Sequence, residues 1–151
     1  MITEAYIKGR FDYGVGKCAV VIVEVGEIVS QRAWVVPDTW DYKGDAVEAD
    51  QFNCEILAAC YALKWCIDND RKLVNLYANT TTCQKWYFNG VFPESREVMG
   101  KAFKDMRDDL QQKVDGMFDH PLHDVVYAEY IPKKSDNIFN KLTNELAENV
   151  K

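Results

Sequence analysis

The first third of the chain alternates apolar and polar positions with the period of a strand. Residues 4–12 (EAYIKGRFD) begin the pattern, and Tyr13-Gly14-Val15-Gly16 reads as a hairpin turn. Residues 18–25 (CAVVIVEV) are the most strand-like run present. Gly26-Glu27 turns the chain into a third strand over 28–36, which Pro37 ends. These residues predict a three-stranded antiparallel meander. Residues 37–49 read as a polar loop carrying Trp40, Tyr42 and four acids.

The period then changes to that of a helix. Across residues 50–70 (DQFNCEILAACYALKWCIDND), Phe52, Ile56, Ala59, Leu63 and Ile67 recur at helical spacing, and Asp68-Asn69-Asp70 stops the run. One carboxylate, Glu55, intrudes into this apolar helix and leads the small-residue stripe Ala59, Ala62 and Cys66. A buried carboxylate requires a partner, a metal or a proton. Residues 73–78 (LVNLYA) are short and apolar and predict a buried parallel strand. Asn79-Thr80-Thr81 caps a short helix through Phe88, ended by Asn89-Gly90. Val98, Ala102, Met106, Leu110 and Val114 mark an amphipathic helix over 95–114. A strand over 125–131 ends at Pro132, and a helix over 135–150 shows Phe139, Leu142, Leu146 and Val150 on one face.

The predicted order is β-β-β-α-β-α-α-β-α. It describes an α/β fold with a five-stranded mixed sheet, an antiparallel meander plus two parallel strands, flanked by helices. No linker, repeat or low-complexity segment divides the 151 residues, so a single domain over 1–151 is expected. A hydrophobic content of 48% and an aromatic content of 13% exclude a disordered chain. No signal-peptide pattern opens the sequence and no run of apolar residues is long enough to span a bilayer. A soluble, cytoplasmic protein with no membrane partner is the expectation.

Composition narrows the partners. The net charge is −6, and residues 1–90 and 91–151 each carry nine basic and twelve acidic residues. Long-range attraction to nucleic acid or an anionic membrane is therefore not favoured, though the composition does not exclude a local basic patch. The five cysteines (Cys18, Cys54, Cys60, Cys66, Cys83) include no CxxC pair, and three of them lie six apart on one helix. They read as reduced core residues, not as a disulfide frame or a zinc site. His120 and His123 flank Pro121 and are too few for a metal site, so no role is assigned to them.

The element order, with an acid early in the first long helix, resembles the ribonuclease H family in its short bacterial and viral-type branch. The resemblance covers essentially the whole chain. YIKGRF stands where the family has tyrosine-x-aspartate-glycine-serine, and NCEILAACYALKW resembles the glutamate-bearing helix. LYANTTTCQKWYFNG resembles the next strand and helix, where an aspartate precedes a lysine-tryptophan pair. YIPKKSDNIFNKLTNELAEN resembles the closing segment, a histidine-serine loop followed by asparagine and aspartate-x-leucine-alanine.

The resemblance implies hydrolysis of RNA in an RNA–DNA hybrid, with four carboxylates holding two magnesium ions that activate water and steady the leaving oxygen. Carried over position by position, the first aspartate falls on Lys8, the glutamate on Glu55 and the second aspartate on Asn79. The loop histidine falls on Lys134 and the last aspartate on Asn144, so the chain is a degenerate member in which Glu55 alone matches. Lys8 (+1), Glu55 (−1) and Lys134 (+1) sum to +1, where four carboxylates would sum to −4. A cation about 4 Å from a single lysine meets repulsion of about 4 kcal/mol at an effective dielectric near 20.

These replacements lead to the expectation of a catalytically inactive protein, with no cofactor, that acts as a structural or interaction module. Lys8 then pairs with Glu55 in place of the ions, with Asn79 and Asn144 as hydrogen-bonding neighbours. This pairing assumes that the face shared by Tyr6 and Lys8 turns toward the helix over 50–68. A first alternative is RNA–DNA hybrid binding without cleavage. There Lys8 and Lys134 take a backbone phosphate, with Arg10, Lys133 and Lys141 adding charge and Trp86 offering a stacking face. A second is an active magnesium-dependent nuclease with a rearranged site, which needs both Asp12 and Asp136 to approach Glu55. An interaction module, in turn, has Trp34, Trp40 and Tyr42 available as an exposed aromatic patch beside the acidic 37–50 segment. The sequence leaves the protein partner and the oligomeric state open.

Overall fold

In the computed structural model, residues 1–116 and 124–151 are described. The meander consists of β1 (Thr3–Asp12), β2 (Val15–Glu24) and β3 (Glu27–Val36), paired antiparallel. Its two turns are tight because Tyr13-Gly14 and Val25-Gly26 both take positive φ, the geometry that matches the twist of a hairpin. A second two-stranded ribbon follows, β4 (Thr39–Tyr42) and β5 (Asp45–Glu48), where a loop was expected. Lys43 and Gly44 turn it at φ 49° and 93°, repeating the same residue-glycine device.

Then come α1 (Gln51–Asp68), β6 (Val74–Ala78), a π-helical turn at Gln84–Phe88 and a 3₁₀ turn at Glu94–Arg96. The chain closes with α2 (Glu97–Asp115), β7 (Val126–Tyr130) and α3 (Ile138–Asn149). The large sheet has the order β3-β2-β1-β6-β7, with β6 parallel to both β1 and β7. The sequence expectation of a meander beside two parallel strands therefore holds.

The two faces of the sheet are covered differently. Ala5, Ile7, Val20 and Ile22 pack under α1, whose Ile56, Ala59 and Leu63 are fully buried, and α2 lies along α1. On the opposite face Tyr6, Val21 and Val23 meet Phe139, Leu142 and Leu146 of α3. Alternation along β1 therefore puts Lys8 with Tyr6, on the α3 face, and Gly9 on the α1 face. The sequence reading had the Tyr6 and Lys8 face turned toward α1, and the structure corrects it. A helix at that position can bury only one parity of a strand, and Ala5 and Ile7 are that parity.

Gly9 sets how closely helix and strand approach. A Cβ there would lie 2.2 Å from the backbone nitrogen of Glu55 and 2.3 Å from the carbonyl oxygen of Gln51. The first two turns of α1 thus rest on bare strand backbone. Asp50 fixes where the helix begins, its carboxylate accepting from the Asn53 N–H at 2.7 Å. Glu55 is carried into the interior by these two features together.

Candidate functional site

Glu55 is 2% exposed. One of its oxygens accepts from the Thr80 hydroxyl at 2.6 Å and the other from the Tyr87 hydroxyl at 2.7 Å. Thr80 follows β6, and the π-helical turn delivers Tyr87 from the far side, so both donors come from one short stretch of chain. Burial raises the carboxyl pKa above its ordinary value, while the two hydroxyls and the charge of Lys8 act against that rise. The Tyr87 hydroxyl is pushed well above its usual range, by burial first and by the neighbouring Glu55 next.

Lys8 is 5% exposed and does not form the expected ion pair with Glu55. Its ammonium donates to the side-chain oxygen of Asn79 at 3.2 Å, on the α3 side of the sheet. Burial lowers its pKa, the nearby charge of Lys133 lowers it further, and Glu55 counteracts both. Asn79 in turn donates to the carbonyl of Ile131 at 2.8 Å and to the side-chain oxygen of Asn140 at 3.1 Å.

Asn140, which sequence reasoning missed, is the α3 residue that meets Asn79. It is 3% exposed, and its side-chain nitrogen reaches the carbonyls of Pro132 and Lys133 at 3.2 and 3.3 Å. Asn137 caps the helix by accepting from the N–H groups of Phe139 and Asn140, and it also donates to the Tyr6 hydroxyl at 3.2 Å. Asn144 enters one turn later, donating to the Asn140 carbonyl at 2.9 Å, while its own side-chain oxygen is buried without a partner. A run of asparagines at spacing three and four on the closing helix was the available signal for Asn140.

The remaining predicted residues do not converge on this point. Lys133 and Lys134 are exposed, and Lys133 enters the network through its backbone carbonyl. Arg10 holds Asp12 in a two-pronged pair at 2.8 and 3.2 Å, so neither is free to serve Glu55 or a ligand. That pair holds the Asp12 carboxyl below its usual range. Lys141 pairs with the fully exposed Asp136 at 3.8 Å. Trp86 is 7% exposed inside a cluster with Phe52, Tyr87 and Phe92, which corrects its assignment as a stacking face. Trp34, Trp40 and Tyr42 are half-buried against the core and are not an exposed patch. His120 and His123 lie outside the described residues.

Magnesium prefers several hard anionic oxygens in octahedral array. Here one carboxylate, already accepting two hydroxyl protons, stands with amides and an ammonium. This donor set does not fit a pair of magnesium ions. Among the described residues no group of three or more His, Cys, Asp or Glu side chains is placed to hold a metal. All five cysteines are free and buried. No helix among the described residues is long and apolar enough to cross a membrane.

No family model and no curated protein matches this sequence. Solved structures do. RNase H1 from the halophilic archaeon Halobacterium salinarum NRC-1 aligns at a TM-score of 0.61 and 16% identity, over 98% of this chain and 96% of that one. The N-terminal RNase H domain of a Mycobacterium tuberculosis protein aligns at 0.66 and 7% identity, covering 97% and 94%. LC11-RNase H1, solved in complex with an RNA/DNA hybrid, aligns at 0.64 and 15% identity, covering 97% and 96%. At such identities the likeness establishes the fold, which is ribonuclease H-like.

Proposed function

We propose that this chain is a ribonuclease H-like protein, derived from a hybrid nuclease, that does not cleave RNA–DNA hybrids and serves as a structural or interaction module in the cytoplasm. The observation that carries the reading is the environment of Glu55. Both carboxylate oxygens are occupied by hydroxyl donors of the chain itself, so the charge is answered without an ion. The lysine at the first carboxylate position is bonded to the asparagine at the second. Free buried cysteines fit a reducing compartment.

The test is a cleavage assay with a labelled RNA–DNA hybrid in magnesium and in manganese. Product should not exceed that of the buffer control. Metal-dependent cleavage that Glu55→Gln abolishes would overturn the proposal, and would favour the active-nuclease reading that requires Asp12 and Asp136.

Hybrid binding without cleavage has one favouring observation, the exposure of Lys133 and Lys134 on the loop before α3. Lys8 does not add to it, since its ammonium is buried on Asn79, and Arg10 is committed to Asp12. Two surface lysines on a protein of net charge −6 make a weak phosphate site. A salt series with hybrid, double-stranded RNA and single-stranded probes separates the readings.

A further inference from the structure

The β4–β5 ribbon does not join the large sheet; it leans on α1 and α2 and leaves a cavity of about 420 Å³ between them. Trp40 and Tyr42 of the ribbon form one wall, with Leu57 of α1 and Met106 of α2 facing them. The rim is acidic. Asp41 and Asp109 are exposed, and neither has an ion-pair partner among the described residues. Asp105, the third rim carboxylate, accepts from the Tyr42 hydroxyl at 2.8 Å and from Lys101 at 3.3 Å.

One cation of the chain already occupies the entrance. The Lys43 ammonium sits 5.4 Å from the centre of the Tyr42 ring and 3.4 Å from the Asp105 carboxylate, on a side chain that is 67% exposed. An aromatic face beside a carboxylate is a favourable place for an ammonium or guanidinium. The ribbon side of the cleft is acidic, residues 37–49 holding four acids against Lys43 alone, while Lys101 on the α2 side is engaged by Asp105. An apolar cleft of this size, walled by aromatic and methionine side chains and edged by Asp41 and Asp109, which carry no ion pair among the described residues, is complementary to a basic side chain with an apolar stem or neighbour.

We infer that the cavity between the ribbon and helices α1 and α2 docks a basic, amphipathic segment of a partner protein, which places an apolar side chain against Trp40 and Met106 and its lysine or arginine on Asp105 and Asp109. The inference deepens the interaction-module reading and rests on it. The occupant is a peptide and not nucleic acid, because a phosphate backbone would meet three carboxylates at the rim. Lys43 acts as an internal competitor that an incoming cation displaces.

The test uses the full chain and a short peptide of alternating lysine and leucine, followed by NMR at the Trp40 indole N–H and the Met106 methyl. Matched peptides of lysine–serine and glutamate–leucine serve as controls. The lysine–leucine peptide should shift both signals and bind about tenfold more tightly than lysine–serine, while glutamate–leucine should not bind. Asp109→Lys should weaken binding about fivefold, and Lys43→Ala should tighten it about twofold, since both side chains are exposed and remote from the core. Unmoved Trp40 and Met106 signals, equal binding of the lysine–serine peptide, or weaker binding in Lys43→Ala would each overturn the inference. Failure here leaves the hybrid-cleavage result untouched, so the two readings fail separately.

Discussion

Glu55 and Lys8 lie close in the fold, on opposite faces of β1, and each is a buried charge that the other does not pair with. The carboxylate under α1 receives one hydroxyl on each oxygen, which offsets part of its burial. The ammonium under α3 has three protons to donate and, among the described residues, one hydrogen bond, to the oxygen of Asn79. The first cluster is closed, and the second is a loose end of an amide network that also leaves the Asn144 oxygen unpartnered. Strand parity turns Lys8 toward α3 and Asn79 while two neutral hydroxyls hold Glu55 under α1, so the ion pair predicted from charge alone does not form.

Gly9, next to Lys8 in β1, is where α1 rests on the strand, and replacing it should break the comparison most severely. Gly9→Ala puts a Cβ into the backbone of Gln51 and Glu55, which cannot move aside without displacing α1. The expected loss is more than about 3 kcal/mol, read from the denaturant midpoint. Retention of full stability would mean that α1 does not sit this close to β1.

Tyr87→Phe acts on the closed cluster. It leaves one Glu55 oxygen buried without a donor and should cost about 1–3 kcal/mol by chemical denaturation. Combining it with Glu55→Leu should cost less than the sum of the two, because the orphaned oxygen disappears with its charge. The same carboxyl sets a pH dependence. Its folded pKa lies above the ordinary 4.5, so the folded state holds the proton more tightly than the unfolded chain does. Stability from this group is therefore present below 4.5 and lost as pH rises through the folded value. The stability of Glu55→Gln relative to wild type should accordingly increase as pH rises above 4.5 and then level off. A flat difference across that range would refute the burial argument.

Lys8 should matter least. Its pKa is lowered, so burial makes its charge unfavourable, and any stability lost in this way returns as pH climbs toward 10.5. Lys8→Met should change stability by about 1 kcal/mol or less. In a double-mutant cycle with Glu55→Gln the coupling should stay below about 0.5 kcal/mol, measured by thermal or urea unfolding. A coupling of 2 kcal/mol or more would restore the ion pair.

The order of residue effects follows what the sequence could and could not convey. Period-two alternation, the helix around Glu55 and the apolar run before Asn79 report local burial, so the sheet and its order were readable. That Glu55 is buried was readable too, because a lone acid stood in an apolar stripe. Its partners were not. Thr80 and Tyr87 are 25 and 32 residues away, and only the π-helical turn brings the tyrosine hydroxyl inward. The face of Lys8 was misread because assigning it required knowing which parity α1 covers, a tertiary fact decided by Ala5, Ile7 and Gly9. The ribbon was missed although Lys43-Gly44 repeats the device of Tyr13-Gly14 and Val25-Gly26. Its polar content masked the alternation of Trp40, Tyr42 and Val47.

The central claim, that chain hydroxyls and not metal ions answer Glu55, is tested most directly by adding manganese to isotope-labelled protein and watching the amide signals of Gly9, Glu55 and Asn79. Paramagnetic broadening falls off steeply with distance, so a bound ion would mark these three before any others. The account predicts that they broaden no more than exposed acidic positions such as Asp45 and Asp108. Selective loss of the Gly9, Glu55 and Asn79 signals at low manganese, abolished by Glu55→Gln, would contradict it.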